Sequence, residues 1–236
     1  TASMIISEPD PLSVYVSETP ATCYGGSDGQ ASVTVTGGVS GYSYLWSSGG
    51  TLDTETGLPA GSYSVMVSDN NGCSETTGIL ISGPSLLTLI SSETPAVCFG
   101  NSDGQATVTV SGGVSEYSYL WSSGGISDTE TGLSAGTYSV SVTDNNNCTA
   151  TSSVTISEPV ELSVSGVETP ATCFGNNDGQ AAVTVSGGVS AYSYLWSTGG
   201  ISDTETGLAA ETYSVSVTDN NNCTATTSVT ISEPVQ

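Results

Sequence analysis

The chain has 236 residues, of which 23 are Asp or Glu and none is Lys, Arg or His, so its formal net charge is -23 at pH 7. Such a surface excludes nucleic acid and anionic membranes as partners, because both require Lys or Arg to offset phosphate charge. Hydrophobic residues still make up 36% of the chain, which favours a folded protein over a disordered acidic one. Cations, neutral glycans and other copies of the same protein remain as partners.

An internal repeat of 75 residues runs along the whole chain. Trp46, Trp121 and Trp196 keep this spacing, and the six cysteines keep it as two sets of three. Self-similarity at such a period is typical of repeat arrays. We therefore expect three repeats, at 10–84, 85–159 and 160–236. Residues 1–9 resemble the ends of the later repeats, so we expect them to be the last strand of a preceding repeat in a longer array.

Each repeat has the pattern of short β-strands. In the first repeat, apolar and polar residues alternate over 31–36 and 63–68, and β-branched residues recur at 79–81. Gly37-Gly38 and Asn70-Asn71-Gly72 are turn signals between these segments. Six or seven short strands in about 75 residues predict an immunoglobulin-like sandwich. The fold class is thus all-β, with tandem immunoglobulin-like β-sandwich repeats in a linear array.

Two aromatic residues support this fold. Trp46 lies within a predicted strand after Tyr42 and Tyr44, where such sandwiches have a core tryptophan, and Tyr63 begins a strand at the position of a tyrosine corner. A sugar-stacking platform is the functional alternative for these side chains. Core packing is favoured, because they follow the same alternation as the apolar strand residues.

The six cysteines predict disulfides and therefore an oxidising, extracellular compartment. Two cysteines lie 50 residues apart in every repeat, and the even count in a small β-repeat favours bonds within each repeat. The expected pairs are Cys23–Cys73, Cys98–Cys148 and Cys173–Cys223. The alternative joins neighbouring repeats as Cys73–Cys98 and Cys148–Cys173. A zinc site is disfavoured, because the chain has no His and no Cys-x-x-Cys.

Several sequence blocks resemble a known repeat. They are Cys-Phe-Gly-Asn-Asn-Asp-Gly at 173–179, Tyr-Ser-Tyr-Leu-Trp at 192–196 and Asn-Cys-Thr at 222–224, with counterparts in the other repeats. The set is similar to the SprB-type repeat of cell-surface and gliding-motility adhesins of Bacteroidota. The resemblance implies a fold like that of PKD (immunoglobulin-like) domains and export to the cell surface by the type IX secretion system. In the third repeat Glu211 replaces the turn glycine Gly136 of the second, so a local change of turn geometry is expected there.

Two further kinds of site are candidates. Oxygen-rich turns recur in every repeat and contain possible calcium ligands: Asp28, Asp69, Asp103, Asp144, Asp178 and Asp219. The alternative is that Asp and Asn simply favour turns. Asn147 and Asn222 fit the pattern for N-linked glycosylation, with Cys as the middle residue.

The residue types argue against catalysis. Without His, Lys or Arg the chain lacks the usual general base, Schiff-base nucleophile and oxyanion-binding cation. We expect no enzyme and no required cofactor, with calcium as the candidate cation. The favoured function is a structural stalk or fibre segment of a large extracellular adhesin that spaces a binding or motility tip from the cell surface. The alternatives are a repeated carbohydrate-binding module and a self-assembling filament subunit.

Overall fold

The fold is described from a computed structural model, which covers residues 7–236. The proposed strand of a preceding repeat at 1–9 lies mostly outside these residues, and 7–9 are not in a strand. Every regular element in the described part of the chain is a β-strand. No helix in residues 7–236 is long and apolar enough to cross a membrane.

Eighteen strands follow one another in three sets of six. The first set is β1 (Ser13–Thr19), β2 (Gly29–Thr36), β3 (Ser43–Trp46), β4 (Thr54–Leu58), β5 (Gly61–Ser68) and β6 (Ser74–Ile81). The second is β7 (Thr88–Thr94), β8 (Gly104–Ser111), β9 (Ser118–Trp121), β10 (Thr129–Leu133), β11 (Gly136–Thr143) and β12 (Thr149–Ile156). The third is β13 (Ser163–Thr169), β14 (Gly179–Ser186), β15 (Ser193–Trp196), β16 (Thr204–Leu208), β17 (Thr212–Thr218) and β18 (Thr224–Thr230).

Each set forms two three-stranded sheets. In the first repeat the sheets have the orders β1-β2-β4 and β3-β5-β6, and the same orders recur in the second and third repeats. The pairs β1–β2, β2–β4, β3–β5 and β5–β6 are all antiparallel. This connectivity corresponds to the A-B-E and C-F-G strands of the immunoglobulin fold. The predicted all-β fold of tandem immunoglobulin-like sandwiches is confirmed.

The core of each sandwich comes from the alternating residues. In the first repeat it contains Ala31, Trp46, Leu58, Val65, Val67 and Ile81. Trp46 is only 2% exposed, and its indole N–H donates to the carbonyl oxygen of Leu52 at 2.9 Å. The hydroxyl of Tyr63 donates to the carbonyl oxygen of Pro59 at 3.0 Å, as a tyrosine corner requires. Both aromatics therefore serve the fold, as predicted.

The turn that carries Glu211 differs locally, as expected. The equivalent strands β5 and β11 begin at Gly61 and Gly136, whereas β17 begins one position later, at Thr212. Gly136 has a φ of 156°. The backbone N–H of Glu211 donates to the carbonyl oxygen of Ala209 at 2.9 Å. Both β17 and its partner β18 are thus one residue shorter than their equivalents, and the sandwich stays intact.

The chain divides into two compact units. The first runs through the described N-terminal residues to Ile90 and includes Thr109–Leu120 and Ser141–Thr151. The second comprises Ser91–Val108, Trp121–Val140 and Ser152–Gln236. Each unit therefore holds one outer repeat together with a part of the second repeat. The repeat boundaries at 84/85 and 159/160 stay predictions.

Candidate functional site

Disulfide bonds join consecutive repeats at two equivalent places. In the first unit Cys23 is bonded to Cys148, with their Cα atoms 5.7 Å apart. In the second unit Cys98 is bonded to Cys223, also with a Cα separation of 5.7 Å. Each bond joins the first cysteine of one repeat to the second cysteine of the next. We call these two places the first and second junctions, and they are the candidate functional site.

The predicted within-repeat pairs, Cys23–Cys73, Cys98–Cys148 and Cys173–Cys223, are wrong. The alternative pairs, Cys73–Cys98 and Cys148–Cys173, are absent as well. Four cysteines are in disulfides, and the two free ones are Cys73 and Cys173.

The physical reason for this correction is the direction of the strands. Cys23 lies in the loop where β1 ends, whereas Cys73 lies in the turn between β5 and β6. The register pairs Gly29 with Leu58 at the Cys23 end and Ser43 with Ser68 at the Cys73 end. The eight residues of β5 separate the two ends, or about 26 Å at 3.3 Å per residue. A disulfide needs Cα atoms less than about 7 Å apart, so the two cysteines of one sandwich cannot meet.

A hydrogen bond accompanies each disulfide. The side-chain amide of Asn146 donates to the carbonyl oxygen of Thr22 at 2.9 Å. At the second junction Asn221 donates to the carbonyl oxygen of Val97, again at 2.9 Å. The donors lie 124 residues from their acceptors. Nothing in the local sequence signalled these asparagines, although their recurrence at the 75-residue period could have selected them.

A buried aspartate holds the turn that carries the second cysteine of each repeat. Asp144 is 4% exposed. Its Oδ1 atom accepts the backbone N–H groups of Asn146 and Cys148, both at 2.9 Å. Its Oδ2 atom accepts the N–H of Val114 at 2.9 Å, so the carboxylate ties this turn to the preceding loop. Burial opposes ionisation, but the three hydrogen bonds outweigh it and lower the pKa of Asp144 below its ordinary value of 3.8.

The same arrangement occurs at Asp69 and Asp219. Asp69 accepts the backbone N–H groups of Val39, Asn71 and Cys73, each at 2.9 Å. The hydrogen bond from Val39 is the main cause that lowers its pKa. Gly38 has a φ of 61°, and a Cβ atom there would lie 3.0 Å from Oδ2 of Asp69. The glycine pair before Val39 thus provides both the left-handed turn and the room for the carboxylate.

A second set of aspartates holds the loop that carries the first cysteine. Asp28 accepts the backbone N–H of Thr22 at 2.9 Å, and Asp103 accepts that of Val97 at 2.9 Å. Asp178 accepts the N–H of Thr172 at 2.9 Å and also a short hydrogen bond from the Thr172 hydroxyl. Hydrogen bonds from Thr22 lower the pKa of Asp28. These residues orient the carbonyl groups that accept from Asn146 and Asn221 at the junctions.

The candidate calcium ligands are therefore occupied by the protein itself. All six accept backbone N–H groups: Asp28, Asp69, Asp103, Asp144, Asp178 and Asp219. Within residues 7–236, no three carboxylate or thiol side chains lie close enough together to hold a metal ion. The arrangement favours the turn-forming role of these aspartates over a calcium site.

The candidate glycosylation residues are turn residues beside the disulfides. Asn147 and Asn222 have φ values of 64° and 65°, in the left-handed region that Asn tolerates better than most residues. Gly72 occupies the equivalent position in the first repeat with a φ of 82°. The backbone therefore explains Asn at these positions, and their glycosylation stays a prediction.

An open groove lies at each junction. The groove at the second junction has a volume of about 380 Å³, and that at the first junction has about 300 Å³. Equivalent residues line both grooves, including the disulfide, a buried Asp and one aromatic side chain. The aromatic residues, Phe99 and Tyr24, are 50% and 62% exposed.

Comparison with known proteins gives one family match. The SprB repeat family matches residues 16–51, 90–125 and 165–200. These segments recur at the 75-residue period and cover the strands from β1 to β3 and their equivalents. No curated protein in the comparison matches the chain.

Solved structures resemble the chain only loosely. The eight N-terminal Ig domains of Down syndrome cell adhesion molecule match with a TM-score of 0.33 and 9% identity, over 95% of this chain and 48% of that one. Domains 4–9 of the surface layer protein SbsC match with a TM-score of 0.27 and 13% identity, over 97% and 48%. The amphioxus IgVJ-C2 molecule matches with a TM-score of 0.26 and 15% identity, over 61% and 96%.

The family match and the disulfides agree on the class of protein. Disulfides persist in oxidising compartments outside the cytosol, and the SprB repeat and the immunoglobulin-like sandwich are structural domain types. The chain is therefore a repeat-containing extracellular or surface protein, and its three matched segments identify it as a tandem array of SprB-type repeats.

Proposed function

We propose that this chain is a spacing stalk segment of a large extracellular adhesin, and that its disulfides keep it short under tension. The observation that carries the proposal is the pairing across the junctions, Cys23–Cys148 and Cys98–Cys223, each spanning 125 residues of sequence. Consecutive repeats are thus connected twice, once by the peptide chain and once by a disulfide. A binding module has no need of this second connection, whereas a segment that transmits force benefits from it.

The two disulfide loops overlap, which limits how far the chain extends when it is pulled from its ends. With both bonds closed, the shortest covalent route runs from the N-terminus to Cys23, from Cys148 back to Cys98, and from Cys223 to the C-terminus. This route contains about 85 residues, against about 110 with one bond closed and about 235 with none, at roughly 3.5 Å each. Tension therefore unfolds the sandwiches without fully lengthening the stalk.

Single-molecule pulling on the whole chain tests this proposal. The background variant is Cys73→Ser/Cys173→Ser, which removes the free thiols and keeps both junctions. Opening one junction with Cys23→Ser/Cys148→Ser should lengthen the fully extended chain by about 25 residues, and opening both should add about 125 more. An oxidised chain that extends to its full sequence length would contradict the proposal. In this background within-repeat pairing would leave only Cys98–Cys148, so a single step of about 50 residues on opening the first junction, and no step on opening the second, would instead indicate within-repeat pairs.

Export by the type IX secretion system is part of the proposal and rests on the SprB family alone. The expected result is surface display of the chain in a Bacteroidota host and its retention inside cells that lack the secretion machinery. Surface fractionation with an antibody to the repeats measures this. Surface display that does not depend on that machinery would contradict export by the type IX secretion system, but it would not contradict the stalk role.

A repeated carbohydrate-binding module is the second candidate, and the grooves favour it. Phe99 lies half-exposed beside polar groove residues such as Asn101 and Asn222, a combination suited to a sugar ring. If the grooves bind glycans, Phe99→Ala should weaken binding to a neutral glycan array, while Leu120→Ala at an exposed strand position should not. If the chain is only a stalk, neither the wild type nor the variants should bind the glycan array measurably.

A further inference from the structure

The two junctions differ in how firmly one of their halves is held. The halves that carry the second cysteine match, because Asp144 and Asp219 are both 4% exposed and each accepts backbone N–H groups on both oxygens. The difference lies in the loops that carry the first cysteine, at 23–28 and 98–103, which we call the Cys23 loop and the Cys98 loop. Each loop faces a following repeat, so the difference does not arise from the ends of the sequence.

A carboxylate anchors the Cys98 loop to the segment that follows β12. Oε2 of Glu158 accepts the backbone N–H of Gly100 at 2.6 Å. The third repeat has the same contact between Glu233 and Gly175, at 2.7 Å. In the first repeat the residue equivalent to Glu158 is Gly83, which has no side chain to accept this hydrogen bond. The Cys23 loop therefore lacks the anchor.

Two further side-chain contacts hold the Cys98 loop. The side-chain amide of Asn101 donates to Oδ2 of Asp103 at 3.2 Å. The hydroxyl groups of Ser102 and Ser134 are hydrogen-bonded at 2.7 Å, which ties the loop to the segment after β10. Neither contact can form in the first repeat, because the residues equivalent to Asn101 and Ser134 have no polar side chain: Gly26 and Pro59.

The backbone of the two loops is otherwise held in the same way. The N–H of Thr22 donates to Asp28 at 2.9 Å, as the N–H of Val97 does to Asp103. The Cys23 loop thus has the same main-chain turn with fewer side-chain contacts. Gly26 adds to the difference, because glycine gains more backbone freedom than asparagine when a loop opens.

We propose that the junctions open in a fixed order on reduction, the first before the second. A mild reductant would then break the disulfide between the first and second repeats while the second and third stay bonded. All four bonded cysteines are half-buried, so a reductant reaches either disulfide when its loop opens locally. The loop with fewer contacts opens more often. This order is independent of the stalk role, because it is a property of the unloaded chain.

The chemistry is thiol–disulfide exchange with a dithiol such as dithiothreitol. One thiolate of the reductant attacks a sulfur atom of Cys23–Cys148, forms a mixed disulfide and releases the other cysteine as a thiolate. The second thiolate of the reductant then attacks the mixed disulfide and expels the remaining cysteine. In total one protein disulfide is reduced to two thiols, and one dithiol is oxidised to a cyclic disulfide whose two protons pass to the protein thiols.

Timed reduction of the whole chain without denaturant tests the proposal. The background variant is Cys73→Ser/Cys173→Ser, because free thiols would exchange with the disulfides. Samples are alkylated at intervals, and the opened bond is mapped with a Glu-specific protease and chymotrypsin, since the chain has no Lys or Arg. Cys23–Cys148 should be reduced about tenfold faster than Cys98–Cys223. Equal rates, or faster reduction of Cys98–Cys223, would overturn the proposal.

Transferring the missing side chains to the first repeat tests whether the loop contacts set the order. Gly26→Asn/Gly83→Glu provides the Cys23 loop with the residues found in the second repeat. Neither glycine has a φ in the left-handed region, so a side chain is compatible with the backbone at both positions. The variant should slow reduction of Cys23–Cys148 several-fold and leave the rate of Cys98–Cys223 unchanged.

The reverse exchange removes the contacts from the second repeat. Asn101→Gly/Glu158→Gly should speed reduction of Cys98–Cys223 several-fold. Glu233→Gly is the matched control, because it removes the equivalent contact from a loop outside both junctions, and it should change neither rate. If both exchanges leave the two reduction rates unchanged, the loop contacts do not set the order and the proposal is wrong.

Discussion

The side-chain amide of Asn146 donates to the carbonyl oxygen of Thr22 at 2.9 Å, across the junction that the Cys23–Cys148 bond closes. This hydrogen bond is a non-covalent contact between two repeats. Thr22 directly precedes Cys23 and Asn146 lies two residues before Cys148, so the hydrogen bond holds the two repeats together beside the disulfide. The exposure of the bond to solvent thiols should depend on it.

The first prediction concerns this contact. Asn146→Ala should speed reduction of Cys23–Cys148 by dithiothreitol about two- to tenfold, as expected for the loss of one hydrogen bond worth about 0.5–1.5 kcal/mol. Cys98–Cys223 in the same molecule is the internal control, because Asn221 still covers it. The measurement is time-resolved alkylation with peptide mapping. Equal reduction rates for the two bonds in the variant would show that the hydrogen bond does not protect the junction.

The second prediction concerns the buried aspartates. Asp219 is 4% exposed and accepts N–H groups from Val189, Asn221 and Cys223 at 2.8–2.9 Å. Burial opposes its ionisation, but these hydrogen bonds lower its pKa below 3.8. Asp219→Asn should therefore lower the Tm by several degrees at pH 7, while Asp203→Asn at an exposed position should change it little.

The sign of the pH dependence follows from the lowered pKa. A carboxyl group with a lower pKa in the folded state stabilises the protein above the unfolded pKa, and this contribution is lost as the pH falls through the folded value. The difference in Tm between the wild type and Asp219→Asn should thus shrink as the pH falls below about 3.8. Thermal melts between pH 2 and pH 7 measure it. A difference that stays constant over this range would contradict the charged state of Asp219.

The sandwich could be predicted from sequence because its signals are local. Alternation placed Val65 and Val67 in the core, and the positions of Trp46 and Tyr63 indicated an immunoglobulin-like fold. The core contains both valines and the tryptophan, and Tyr63 forms the expected corner. Period-two patterns report which face of a strand is buried, and this requires no knowledge of distant residues.

The junction could not be predicted in the same way, because its partners lie 124 and 125 residues apart. Counting cysteines indicated disulfides but not which ones, since an even count fits several pairings. The directions of the strands determine which cysteines can pair. A cysteine after β1 and a cysteine after β5 lie at opposite ends of a sandwich, so they cannot pair with each other.

The third prediction is that stability does not depend on calcium. The six candidate carboxylates accept backbone hydrogen bonds, and those of Asp69, Asp144 and Asp219 are already satisfied on both oxygens. Excess EDTA should therefore leave the Tm unchanged at fixed ionic strength. The effect of added calcium is compared with that of added magnesium, because any divalent ion screens this acidic surface. A Tm that rises with calcium and not with magnesium would restore the calcium site.

The fourth prediction follows from the charge of the whole chain. With 23 acidic residues and no basic ones, every interaction between side-chain charges is repulsive, and salt has no ion pair to weaken. Raising NaCl from 10 mM to 150 mM shortens the screening length from about 30 Å to about 8 Å. The Tm should therefore rise by several degrees. Sucrose at equal osmolality is the control, since it leaves the charges unscreened. A Tm that falls with NaCl over this range would require an attractive charge interaction that the side chains of this sequence do not provide.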